Sequence, residues 1–102
     1  MSDKNTAADG LRCQGRITVE NSGELRATLS CALRRKPPDL AVDLSDVFYM
    51  DTSGVATLVE AARTARKQGT RLTLKGLHDQ PRCLFEMARL DRLFDGPAEA
   101  SA

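Results

Sequence analysis

Two hydrophobic rhythms alternate along this chain, and their alternation restricts the fold more than any other property of the sequence. Short apolar runs of strand character are each followed by a stretch whose apolar residues recur at helical spacing. Leu11 to Val19 reads as a strand interrupted at Gly15. From Ser22, whose hydroxyl is placed to cap open amides, Leu25, Leu29, Ala32 and Leu33 mark one face of a helix. Arg34, Arg35 and Lys36 load its last turn with cations, which suits the helix dipole, and Pro37-Pro38 ends it. Leu40 to Leu44 is nearly all apolar, as a strand covered on both faces would be.

A turn is expected at Ser45-Asp46, followed by the apolar Val47-Phe48-Tyr49-Met50. Beyond Asp51-Thr52-Ser53-Gly54, the residues Val55, Leu58, Val59, Ala62 and Ala65 return to helical spacing, with Glu60, Arg63 and Lys67 on the other side and Gly69 as the stop. Arg71 to Lys75 alternates, Leu72 and Leu74 inward. Pro81 fits the first turn of a third helix, with Asp79 as its expected cap and Leu84, Phe85 and Ala88 as its apolar face. Leu90 to Phe94 is expected to cover an edge of the core. The order strand, helix, strand, helix, strand, helix predicts an α/β domain, a small mixed, mainly parallel sheet with helices packed on it. Residues 1–10 are expected as a flexible tail, 11–95 as the domain and 96–102 as a second tail.

Composition narrows the function. Fifteen Lys and Arg face fourteen Asp and Glu, a net charge of +1, so the basic excess that binds nucleic-acid phosphates is missing. Three Phe, one Tyr and no Trp supply no base-stacking platform. No apolar run has the length to cross a bilayer and the first ten residues carry no signal core, so direct membrane insertion is not expected and a cytoplasmic location is. Cys13, Cys31 and Cys83 are odd in number and dispersed, which points to reduced, partly buried thiols rather than a disulfide or zinc site. His78 is the single histidine and has no nucleophile motif beside it. Glycine-rich phosphate loops are lacking as well. The expectation is a protein without cofactor or metal that is not an enzyme.

The informative segment is Asp51-Thr52-Ser53-Gly54. Unpaired amides at a helix start point outward and favour negative charge, so a hydroxyl there can carry a phosphate solvated by those amides. The same phosphate adds about −1.5 to −2 charge beside Asp51, enough to repel an acidic or apolar partner. The ordinary role of Asp51, Thr52 or Ser53 at such a place is simply to cap the helix, and the two roles are compatible.

The run VDLSDVFYMDTSGVATLVEAARTARKQGTRLTLKGL, Val42 to Leu77, closely resembles the STAS domain family, which includes anti-sigma factor antagonists and sulfate-transporter tails. The block RCLFEMARLDRLF, Arg82 to Phe94, is similar to the family's last helix and tail, and CQGRITVENSGELRATLSCAL to its early turn and first helix. The resemblance implies a STAS-like fold and regulation by protein contact. It places the phosphoacceptor at Thr52, modified by a kinase that is also the anti-sigma factor, with the unphosphorylated domain holding that kinase. The implied partner-binding residues are Asp51, Thr52, Ser53, Gly54, Ala56, Glu60 and Arg63. Thr18 stands where many such antagonists carry Asp or Asn, and the residues before Leu11 are too polar for the family's usual first strand, leaving an open sheet edge. The alternative is an accessory subunit that binds the ATPase of a bacterial phospholipid-transport ABC system, with Thr52 as interface rather than switch. A monomer or weak dimer is expected in either case.

Overall fold

The structure, a computed structural model, describes residues 6–7 and 10–90. In chain order the elements are β1 (Thr6–Ala7), β2 (Gly10–Ile17), α1 (Ser22–Arg34), β3 (Asp39–Met50), α2 (Thr52–Gln68), β4 (Arg71–Lys75) and α3 (Asp79–Met87). They form one sheet of order β1-β2-β3-β4, in which β2, β3 and β4 run parallel and β1 is antiparallel to β2. The two parallel crossovers advance the same way along the sheet, so α1 and α2 share one face and pack against each other. Leu40, Val42 and Leu44 of β3, Leu72 and Leu74 of β4, and Leu11 and Ile17 of β2 meet Leu29 and Leu33 of α1 in a single core. From α2 the core receives Leu58, Ala61, Ala62 and Ala65, and from α3 it receives Phe85.

Sequence expectations of three kinds need correction. The first concerns the strands. Ser45-Asp46 is not a turn: β3 runs unbroken for 12 residues, with Ser45 in a bulge and Asp46 paired opposite Gln14. Between Arg12↔Asp43 and Gln14↔Asp46 three steps of β3 match two of β2, and a second shift at Gly15/Arg16 sets Phe48 out of register. Asp43 stabilises the bulge by accepting hydrogen bonds from the Ser45 amide at 2.9 Å and hydroxyl at 2.6 Å. Gly15, with φ +79°, lies inside β2 rather than breaking it. Thr6↔Leu11 and Ala7↔Gly10 extend the sheet into the expected tail, because backbone pairing needs no apolar side chain. The remainder of the tails, 96–102 included, and the Leu90–Phe94 cover beyond Leu90 lie outside the described residues; Leu90 itself packs on the core.

The second concerns the helix caps. The N-cap of α1 is Asn21, and neither it nor Ser22 bonds the open amides; Asn21 instead accepts from the Thr18 amide at 2.8 Å and donates to the Arg16 carbonyl at 2.8 Å. Asp79 is not the cap of α3: His78 holds that position and makes no side-chain cap bond, while Pro81 does lie buried in the first turn. The chain leaves α1 at Arg34, and Lys36 takes φ +52° ahead of the two prolines.

The third concerns burial. Ala88 is exposed at the C-cap of α3, leaving Phe85, with Leu84 half-buried, as its inner face. On α2 the buried stripe is centred on Leu58, Ala61, Ala62 and Ala65, with Val55 and Val59 half-buried on its flank. Cys31 and Cys83 are exposed and only Cys13 is half-buried. Burial, and then the nearby Asp43 charge, pushes the Cys13 thiol up to about 11, so it stays protonated and unreactive at neutral pH.

The helix stop at Gly69 and the strand at Arg71–Lys75 stand where the sequence places them. Gly69 adopts φ +84°, the left-handed cap that glycine enters without a Cβ penalty. Behind it, the Thr70 hydroxyl donates to the Pro37 carbonyl at 2.6 Å and the Gln68 amide donates to the Leu33 carbonyl at 2.7 Å, tying the two crossovers together.

Candidate functional site

β3 delivers Met50 into the core with no exposed surface, and the chain turns at Asp51 straight into α2. Asp51 has extended backbone geometry, and its amide donates to the Ile17 carbonyl at 3.1 Å, so the turn is anchored to the end of β2. One carboxylate oxygen caps the helix. Oδ1 accepts from the Ser53 amide at 2.9 Å, the Ser53 hydroxyl at 2.6 Å and the Gly54 amide at 3.3 Å. The other oxygen, Oδ2, accepts from the Val19 amide at 3.1 Å, across to the loop between β2 and α1. The Ser53 hydroxyl bond and the Gly54, Val19 and Ser53 amides hold the Asp51 carboxyl below the usual carboxylate range, against a smaller desolvation effect. This lowered value links the site to acid stability. The carboxylate contributes its full stabilisation above the unfolded-chain value of about 3.9, and that contribution is lost as pH falls through the lower folded-state value. Acid unfolding followed by circular dichroism is therefore expected to start at higher pH in Asp51→Asn than in the wild type.

The capping role falls to Asp51, which leaves Thr52 unburdened. Thr52 is exposed at the first position of α2, and among the described residues no hydrogen bond holds its hydroxyl. No acidic residue lies in that first turn. The amides and dipole at this helix start are therefore shared only with the Asp51 carboxylate. Thr52→Ala is expected to change the unfolding free energy by less than about 0.5 kcal/mol, as read by urea denaturation; a larger loss would make Thr52 a structural residue.

Thr52, Ala56, Glu60 and Arg63 are brought together as one exposed stripe along α2. Glu60 also pairs with Arg26 of α1 at 3.2 Å, both side chains well exposed. Ser53 is half-buried with its hydroxyl committed to Asp51. Gly54 does not reach the surface: it is buried, and a Cβ there would lie 2.7 Å from Met50 Cγ and 2.8 Å from Ile17 Cγ2. Its part is to let α2 start close against β2 and β3, not to present a side chain to a partner.

Of the far wall of the site, sequence reasoning singled out Thr18 and missed the rest. An open groove beside Asp51 is lined by Arg16, Thr18, Val19 and Tyr49. Val19 is 73% exposed and Tyr49 38%, with the Arg16 guanidinium 5.7 Å from the Tyr49 ring centre. Val19, read from the sequence as the end of the first strand, lies beyond Ile17 where β2 stops, and Tyr49 belongs to the apolar run Val47 to Met50. Among the described residues, no three His, Cys, Asp or Glu side chains gather as metal ligands, and no helix is long and apolar enough to cross a membrane.

A parallel three-stranded core with an added antiparallel strand, two helices on one face and a serine- and threonine-bearing helix start at the end of the central strand define a class, and comparison agrees. Residues 1–95 match the family model described as Mlab, STAS domain, and the chain belongs to the STAS domain family. It is 33% identical over 86 residues to the anti-sigma-B factor antagonist of Bacillus subtilis, covering 84% of this chain and 78% of that protein. It is 38% identical over 52 residues to the intermembrane phospholipid transport system binding protein MlaB of Escherichia coli, about half of each chain (51% and 50%). The unphosphorylated anti-sigma factor antagonist SpoIIAA shares the fold with a TM-score of 0.63 at 20% identity, over 82% of this chain and 86% of that one.

Proposed function

We propose that this chain is a non-enzymatic regulatory domain, an anti-sigma factor antagonist that docks a kinase-type anti-sigma factor and is released by phosphorylation of Thr52. The observation that carries the reading is the division of labour at the start of α2: Asp51 caps the helix, and the neighbouring Thr52 hydroxyl is exposed and unengaged. The docking surface comprises Asp51, Thr52, Ser53 and the stripe through Ala56, Glu60 and Arg63, with the exposed Val19 and Tyr49 at its rim. A phosphate on Thr52 is tolerated by the isolated domain, because it would stand exposed to water at the positive end of the α2 dipole. In the complex it is not, because a fixed dianion next to the Asp51 carboxylate would have to be desolvated.

The likeness to MlaB and the wording of the matching family model support a second reading, an accessory subunit of a phospholipid-transport ABC ATPase. There the same stripe is a lasting interface and Thr52 a contact residue. Co-elution on gel filtration separates the two. The first reading expects a complex with a kinase-type anti-sigma factor that dissociates when ATP is added. A stoichiometric complex with the ABC ATPase that ATP leaves intact, together with no complex with the kinase, would replace it by the second.

A further inference from the structure

His78, the single histidine of the chain, lies just before α3 with acceptors on both sides of its ring. Nδ1 is 2.9 Å from Asp79 Oδ2, and Nε2 is 3.0 Å from the Ser45 carbonyl oxygen. A carboxylate and a carbonyl can only accept. A neutral imidazole has one N–H, so it satisfies one partner and turns its lone pair on the other; the imidazolium donates to both. The surrounding charges are mixed. Asp79 on α3 and Asp46 on β3 both favour the cation, the first through its hydrogen bond above all. On β3, Asp43 is engaged by the Ser45 amide and hydroxyl and lies in the field of Lys75 of β4, while Arg12 of β2 pairs with Asp46 at 3.4 Å. The balance, led by Asp79 and then the Ser45 carbonyl, holds His78 above the ordinary imidazole range.

The contact sits at a crowded junction. Ser45 lies in the bulge of β3, and a Cβ on Gly76 would come within 2.6 Å of the Ser45 Cβ and 2.8 Å of its backbone, so the approach to α3 is pressed onto that bulge. Asp79 opens α3 at φ +50°, a left-handed geometry that costs a non-glycine residue energy and that its bond to His78 helps to hold. One residue further on, the Gln80 amide imitates a strand partner. Its Oε1 accepts from the Met50 amide at 2.9 Å and its Nε2 donates to the Met50 carbonyl at 3.0 Å. Met50 is the residue before Asp51. The start of α3 is thus fastened to β3 at two points, Ser45 through His78 and Met50 through Gln80.

We propose that His78 is a proton-operated clamp: as the imidazolium it locks the start of α3 onto the Ser45 bulge, and its deprotonation loosens Gln80 from Met50 and so relaxes the Asp51–Thr52 turn. The clamp acts whichever partner the domain binds. Because the folded-state value is raised, the stabilisation is complete below the unfolded-chain value of about 6.5 and is lost as pH rises through the folded-state midpoint. A pH titration of the full chain by NMR tests this, with the one imidazole giving an unambiguous signal. The midpoint is expected above about 6.5, and the backbone amides of Met50, Asp51 and Thr52 are expected to titrate at that same midpoint. Asp79→Asn should shift both midpoints down together, and His78→Gln should abolish the step in the three amides. An imidazole midpoint at or below the ordinary value, or a His78 titration that leaves all three amides unmoved, would overturn the clamp. The wild-type titration alone reads both, so the outcome is decided even where a variant fails to fold.

Discussion

Leu58→Ala is expected to lower the unfolding free energy by about 2–5 kcal/mol, measured by urea denaturation at neutral pH. Leu58 has no exposed surface and is the largest side chain that α2 contributes to the core. Its buried neighbours on the helix, Ala61, Ala62 and Ala65, are too small to refill the void, and the strands behind it are fixed by their hydrogen-bond ladder. The cost therefore combines lost transfer energy with a cavity that cannot collapse. A domain of this size has about 5–15 kcal/mol of stability in all, so the variant should sit near the edge of folding at 37 °C. Val59→Ala, one residue on and half-buried, should cost clearly less. Equal losses at the two positions would mean that the buried face of α2 is turned from the one described.

Thr52→Glu is expected to weaken binding to the kinase-type anti-sigma factor at least roughly tenfold, since like or unpaired charge pressed into an interface costs several kcal/mol. The introduced carboxylate stands beside Asp51, whose own charge is held in place by four hydrogen bonds and cannot readily be neutralised. Glutamate supplies less charge than phosphate and fewer acceptor oxygens, so the effect is a lower bound on that of the phosphoprotein. Thr52→Ala removes the hydroxyl without adding charge and should bind close to wild-type strength. Isothermal titration calorimetry with the three proteins reads the difference; equal affinity in all of them would put Thr52 outside the interface.

What the sequence displays depends on how local the deciding interaction is. The strand at Arg71–Lys75 and the stop at Gly69 are legible because alternation and a left-handed cap are set within a few residues. The Asp51–Thr52 turn is legible for the same reason, since a capping carboxylate reaches only two and three residues ahead. The second bond of Asp51, to the Val19 amide 32 residues away, has no local trace, and with it the groove wall of Val19 and Tyr49 stays hidden. Ser45-Asp46 reads as a turn because polar residues usually interrupt strands; here β2 continues alongside, with Ser45 absorbed in a bulge and Asp46 paired. Asp79 reads as a cap by position, yet its carboxylate goes to His78, whose other ring nitrogen meets the Ser45 carbonyl 33 residues away in sequence. Phe48, 60% exposed in an all-apolar run, is turned outward by the register shift that the sequence alone does not reveal.

The most direct test of the switch is to incubate the protein with ATP and a kinase-type anti-sigma factor that binds it, then to locate the phosphate by tandem mass spectrometry. A single phosphate on Thr52, with Ser53 unmodified because its hydroxyl is held by Asp51, is the predicted result. Phosphate on Ser53 or elsewhere, or none at all, would contradict the account.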